Sequence, residues 1–184
     1  MDEFSELRLA GGTALALQIG HRKSIDLDFF GEIEFEQLAI NELFRDFHSV
    51  EVLQKTKNIN IYELNEVKVD FVNYSYPWLQ KQLTIDGIVL AHKEDIAAMK
   101  IAAITGRGSK KDFIDLFFLL EIYSLQQILD FYTKKYFDAS IFLALKSISY
   151  FDDADQEESP EMIIPLSWET VKSKIKEEVI KYTS

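Results

Sequence analysis

Two carboxylates, Asp26 and Asp28, stand two residues apart in Ser24-Ile25-Asp26-Leu27-Asp28-Phe29-Phe30, a segment that otherwise reads as a buried strand. Alternate residues of a strand share a face. Ser24, Asp26 and Asp28 therefore project one way, and Ile25, Leu27 and Phe29 the other. Two unit charges about 4 Å apart repel by about 4 kcal/mol at an effective dielectric of about 20. A cation between them offsets that repulsion, and oxygen-only ligation points to magnesium. A solvated acidic face on an edge strand is the competing reading of the same residues. Upstream, Leu9-Ala10-Gly11-Gly12-Thr13-Ala14-Leu15 joins an apolar run to a helical pattern through two glycines. Glycines at a helix start let backbone N–H groups approach a phosphate, and the helix N-terminus adds favourable partial charge. A phosphate cradle beside a metal-binding carboxylate pair suggests a nucleoside triphosphate (NTP) site.

Asp70 lies in Glu66-Val67-Lys68-Val69-Asp70-Phe71-Val72, where Lys68, Asp70 and Val72 share one face. If this strand neighbours the first, Asp70 completes a set of three metal-binding carboxylates with Asp26 and Asp28. It is then also the group placed to take a proton from an acceptor hydroxyl. Taken alone, it is an ordinary exposed Asp on a sheet edge. Lys100 shares a helical stripe with Ile96, Ala103 and Ile104, so it either snorkels to water or meets a fixed anion. Ser109-Lys110-Lys111-Asp112 fits a helix capping box, with Asp112 reaching back to Ser109. Asp115 lies one turn on, facing the same way. A second acid there exceeds what capping needs, and the pair could orient Lys100 or bind a base or ribose. His21, His48 and His92 are scattered without ligand spacing, and no nucleophile elbow or cysteine nucleophile exists.

These residues need elements to position them. The pattern predicts strands over 6–10, 24–30, 50–55, 58–64, 67–73 and 88–91. It predicts helices over 13–19, with Thr13 as N-cap and Gly20 as the stop, and over 34–47. From His92 onward only helices follow, over about 93–105, 110–122, 125–135, 140–149 and 168–181. The plan is α+β: a mixed sheet over 1–91, then a helical part over 92–184. Asp152-Asp153-Ala154-Asp155-Gln156-Glu157-Glu158 reads as a solvated acidic loop.

With 184 residues, 47% hydrophobic, the chain can build a sizeable core. It has no cysteine, hence no disulfide or thiolate site, which fits the cytoplasm. No segment approaches the roughly 20 apolar residues of a membrane span, and the acidic N-terminus is unlike a signal peptide. A net charge of −11 argues against long-range attraction to nucleic acid, leaving one local basic cluster at Arg107, Lys110 and Lys111.

The chain resembles the AbiEii/AbiGii-type toxin family of nucleotidyltransferases. Gly11-Gly12-Thr13-Ala14-Leu15 and Arg22-x-Ser24-x-Asp26-Leu27-Asp28-Phe29 look like its first motif, and Lys68-Val69-Asp70 like its second. Asp95-Ile96-Ala97-Ala98-Met99-Lys100 is similar to the third, and Arg107-x-x-Lys110-Lys111-Asp112-x-x-Asp115-Leu116 to the fourth. The family usually has a helix ahead of the first motif, whereas only a short segment precedes Gly11 here. The resemblance implies a nucleotidyltransferase palm and a helical domain. It implies transfer of a nucleoside monophosphate from an NTP to an acceptor, with tRNA as acceptor and an antitoxin as partner in some members. By resemblance Asp26 and Asp28 ligate Mg2+, Gly12 and Ser24 hold phosphates, Lys100 meets the triphosphate and Asp112 is essential. Gly11, Thr13 and Asp115 complete the expected nucleotide contacts. Arg107, Lys110 and Lys111 would serve an RNA acceptor. Two other readings stay open: a small-molecule transferase of the aminoglycoside-modifying type, which suits the acidic surface, and a catalytically silent protein-binding module.

Overall fold

The computed structural model describes residues 7–33, 40 and 42–184. The start of the strand expected at Glu6 and most of the first half of the helix expected over 34–47 lie outside the described residues. The chain builds a seven-stranded mixed sheet in the order β3-β4-β5-β2-β1-β7-β6. Its strands are β1 (Arg8–Leu9), β2 (Leu27–Gly31), β3 (Val50–Lys55), β4 (Ile59–Leu64), β5 (Val67–Asn73), β6 (Leu83–Ile85) and β7 (Ile88–Leu90). Helix α1 (Gly11–Ile19) sits between β1 and β2. The helices that follow the sheet are α2 (Lys93–Gly106), α3 (Lys110–Leu120), α4 (Leu125–Lys135), α5 (Ile141–Ile148), α6 (Asp152–Asp155) and α7 (Trp168–Thr183).

Period-2 alternation decides which way each strand faces. In β5, Val69 and Phe71 enter a small apolar cluster with Tyr62, Leu64 and Phe44 on one side of the sheet. Phe29 of β2 stacks on Phe71 across the strands, ring centres 5.5 Å apart. This side keeps an apolar hollow of about 670 Å³. Asp70 and Val72 point to the other side. The main core starts from Leu9, Ala14, Leu15 and Leu90 and continues without a break through Ile96, Ile101, Leu116 and Ile128 of the helices. It therefore runs across the boundary expected between residues 91 and 92.

Asn65 and Glu66 both have positive φ, as do Asp86 and Gly87. Positive φ at both central residues makes the tight hairpin turns that match strand twist. The turn expected at Asn65-Glu66 is thus present, and Asp86-Gly87 joins β7 to a strand, β6, that the sequence pattern did not reveal. Gly20 ends α1 in the left-handed region, φ 66. Thr13 is not the cap of α1, which begins earlier, with Ala10 as N-cap and no side chain capping it. The strand expected over 24–30 is also shorter, because the Thr13 hydroxyl donates to the Asp26 carbonyl and holds that stretch on α1. Pairing with β5 begins only at Leu27. Among the described residues no helix is long and apolar enough to cross a membrane.

Candidate active site

Strands β2 and β5 are parallel neighbours, and their register sets Asp28 directly opposite Asp70. Both line a cleft of about 390 Å³ that also includes Gly11, Lys100, Arg107 and Asp112. Burial, then the charge of Asp70, push the Asp28 carboxyl above its usual range, against the pull of Lys68 and Lys100. Lys68 donates to Asp70 Oδ2 at 2.7 Å, while Asp70 Oδ1 is buried without a partner. Asp26 does not join this pair on the strand. It lies one residue before β2, and its charge is felt by both Asp28 and Arg22. Among the described residues no three His, Cys, Asp or Glu side chains form a ready-made metal cluster.

The two glycines that open α1 each admit a side chain. A Cβ on Gly11, which has φ +64, would overlap Asp28 Oδ2, and one on Gly12 would overlap the guanidinium of Arg22. The α1 N-terminus is thus approached by a carboxylate on one side and a cation on the other. With the Thr13 proton given to the Asp26 carbonyl, the Ser24 hydroxyl donates to Thr13 Oγ1 at 2.9 Å, so both hydroxyls bind this loop together.

Behind the cleft lies a buried ionic network. Asp115 receives Arg22 through Nε at 2.7 Å and Nη2 at 2.9 Å, His21 Nε2 at 2.7 Å, and Lys100 Nζ at 2.6 Å. Asp112 receives Lys100 at 2.9 Å, Arg107 Nε at 2.9 Å and the Ser109 hydroxyl at 2.7 Å. The expected capping box is therefore absent: Ser109 is the N-cap of α3, but its hydroxyl donates to Asp112 and caps no backbone amide. Burial alone would raise Asp112, but Lys100 and Arg107 outweigh it and hold the carboxyl at about 2. Asp115 is driven lower still, by Lys100, Arg22 and His21 acting against burial. Lys100 and Arg22 remain charged despite burial, because the same carboxylates face them. Lys100 does not snorkel: it reaches the cleft wall with its ammonium held by two acids. Asp115 is fully buried, so its work is done on Arg22, His21 and Lys100.

Sequence reasoning assigned no role to His21 or Arg22. The signal for Arg22 was Gly12, whose missing side chain leaves room for a guanidinium. The loop carrying them is fixed from far along the chain, with Lys23 N–H donating to Glu161 and Ile163 N–H to His21. Asp95 of the third motif is buried away from the cleft. It accepts from Lys135 at 2.8 Å and from the Leu79 and Gln80 amides.

The basic cluster divides. Arg107 is exposed along most of its side chain and lines the cleft, and Lys111 faces solvent. Lys110, expected to face RNA, is only 6% exposed. Its ammonium donates to the Glu157 carbonyl and lies 5.3 Å from the Trp168 ring centre, while its backbone N–H donates to Glu157 Oε2. The acidic stretch 152–158 is exposed apart from Ala154, as expected of a solvated segment, but its first four residues are helical rather than loop. Those four form α6, bury Ala154, and hand Asp155 to Lys172.

Beyond the carboxylates the cleft becomes aromatic. Phe30, Val72, Tyr74, Met99 and Tyr136 form its other end. The Tyr74 and Tyr136 hydroxyls bond each other at 2.9 Å. Burial raises both, Tyr136 to about 12, so they stay neutral.

A carboxylate pair in register, facing a glycine-opened helix and a lysine held by two acids, agrees with comparison to known proteins. Residues 2–181 match the family model described as nucleotidyl transferase AbiEii toxin, type IV TA system. An uncharacterized protein of Aquifex aeolicus (strain VF5) is 39% identical over 184 residues, spanning 97% of this chain and 88% of its own length. The crystal structure of JHP933 from Helicobacter pylori shares the fold, with a TM-score of 0.64 and 19% identity over 96% of this chain and 83% of that one. MenT4, a nucleotidyltransferase toxin of Mycobacterium tuberculosis H37Rv, does so at 0.56 and 15%, covering 97% and 76%. This chain belongs to the AbiEii family of nucleotidyl transferase toxins.

Proposed function

We propose that the chain is the toxin of a toxin–antitoxin pair and acts in the cytoplasm, moving a nucleoside monophosphate from an NTP to an RNA acceptor such as tRNA with the help of a divalent ion. The observation that carries this reading is the in-register pairing of Asp28 with Asp70 across from the uncapped N-terminus of α1. The residues fit a hard cation. The donors are all oxygen, Asp70 Oδ1 is buried and unpartnered, and Asp28 lacks a full counter-charge. Asp28 and Asp70 would hold magnesium, with Asp26 as the third carboxylate. When bound, the ion supplies positive charge to the triphosphate.

The chain's own groups do the rest. The α1 N-terminus at Gly11 and Gly12, with Ser24 and Thr13 beside it, receives phosphate oxygens. Lys100 and Arg107 give positive charge where pyrophosphate leaves, and Asp112 and Asp115 hold Lys100 in place. The acceptor hydroxyl forms a bond to the α-phosphorus as the bond to the β-phosphate oxygen breaks. Pyrophosphate departs with that electron pair, and the acceptor proton passes to Asp70.

Calorimetric titration with each of the four NTPs, with and without magnesium, is the direct test. Magnesium-dependent binding of at least one, lost in Asp28→Asn and Asp70→Asn, is expected. Binding of none, or equal binding by the Asn variants, overturns the reading. Labelled NTP offered with tRNA or with an aminoglycoside then separates the two acceptor classes.

A further inference from the structure

The cleft has two chemically different ends. One is cationic, with Lys100 and Arg107. The other continues from Tyr74 and Tyr136 to Tyr76, whose ring centre lies 4.7 Å from Tyr136 and 5.3 Å from Tyr74. From there the rings reach Phe137, 6.2 Å on and 91% exposed. Tyr74 lies four residues on from Asp70, one past the end of β5, about 13 Å at strand rise. A hollow of about 490 Å³ opens beside Tyr74 and Tyr76, walled also by Pro77, Trp78, Ser75 and Glu32, with no cation among them. So exposed a ring, continuous with a catalytic cleft, needs a reason.

Two kinds of ligand suit aromatic walls: a cation over the ring faces, or a flat ring stacked on them. The first place is already taken. Lys135 puts its ammonium 4.4 Å from the Trp78 ring centre and 5.1 Å from that of Tyr74. It is fixed there by Asp95 and the Pro77 carbonyl. A second cation at those rings would meet its repulsion. The rings of Tyr76 and Phe137, which adjoin that fixed charge, suit a flat, uncharged ring.

Resting on the transferase reading, we infer that Tyr76 and Phe137 form a stacking platform for a nucleobase of the acceptor strand, next to the nucleotide that is modified. Base stacking on an aromatic side chain is sequence-tolerant, because every base has a π-face. The platform thus holds the strand end while the cationic end holds the triphosphate.

The test uses the full chain with two single-stranded RNA hexamers, one carrying bases and one abasic at every position. Phosphates and length are equal, so the difference reads stacking alone. The base-bearing strand is expected to bind about tenfold tighter than the abasic one. Phe137→Ala, a change at an exposed side chain, is expected to remove most of that difference, and Tyr76→Leu the remainder. Equal binding of the two strands, no binding of either, or full discrimination kept by both variants overturns the platform. NTP titration on the same samples separates the two ideas. NTP binding without base discrimination sinks the platform and leaves the transferase reading standing. Absence of NTP binding sinks the transferase reading, whereas base discrimination is read independently of it.

Discussion

Asp115 has no exposure and three cationic or protonatable neighbours, Arg22, Lys100 and His21. A buried pair of this kind contributes little against an apolar replacement, but removing one partner strands the others. Asp115→Ala is therefore expected to cost about 3–5 kcal/mol, read as a fall in the urea midpoint. Asp112 adds a pH dependence. Its carboxyl is held at about 2 in the fold against an ordinary 3.8, so the folded form binds its proton less readily than the unfolded chain. Its contribution, about 2 kcal/mol, is complete above pH ~4 and is lost as pH falls toward ~2. Stability measured across that window should fall with a shallower slope in Asp112→Asn than in the natural chain. The network also orders the chemistry. Three fixed cations, Arg22, Lys100 and Arg107, face Asp112 and Asp115, and Asp28 approaches the α1 N-terminus from the other side.

At the scale of elements, the parallel β2–β5 register brings Asp70 beside Asp28, and the β4–β5 hairpin holds the other edge of β5. The hairpin turn holds Glu66 at φ 69, a conformation that costs a side-chain-bearing residue about 1–2 kcal/mol. Glycine there relieves this and returns about 0.4–1 kcal/mol as unfolded-state freedom. Glu66→Gly, at an exposed position, should raise Tm by about 1–3 °C in a thermal melt. This hairpin was legible in the sequence, because period-2 alternation and turn residues are local signals. So were α2 to α5 and α7. The β6–β7 hairpin was half legible: Asp86-Gly87 marked a turn, but Leu83–Ile85 is too short to show alternation. The start of β2 was misplaced because Thr13, eleven residues before Ser24, takes the Asp26 carbonyl. Lys110 was misread for the same reason. Charge along the chain reads as solvent exposure until a distant partner, here Trp168 and Glu157, is known.

At the scale of the whole molecule, a net charge of −11 surrounds a cleft with few free cations. Once Lys110 is committed to Glu157, and Arg107 to Asp112 and the triphosphate site, Lys111 is what the expected basic cluster has left for phosphates elsewhere. Strand binding should then neutralise about one phosphate. A plot of log K against log salt for the base-bearing hexamer is expected to have a slope of about −0.7, the value for one neutralised phosphate on a single strand. A slope several times steeper would reveal a basic surface elsewhere.

Lys135 carries one more consequence. Its ammonium, fully buried, lies against the Pro77 carbonyl from the first half of the chain and Asp95 from the second, and Asp95 in turn clasps the amides of Leu79 and Gln80. Cutting the polypeptide after Ala91 would leave those amides on one fragment and the carboxylate that binds them on the other. Neither piece could shield its polar groups by itself, so palm and helices are bound to close together in a single cooperative act.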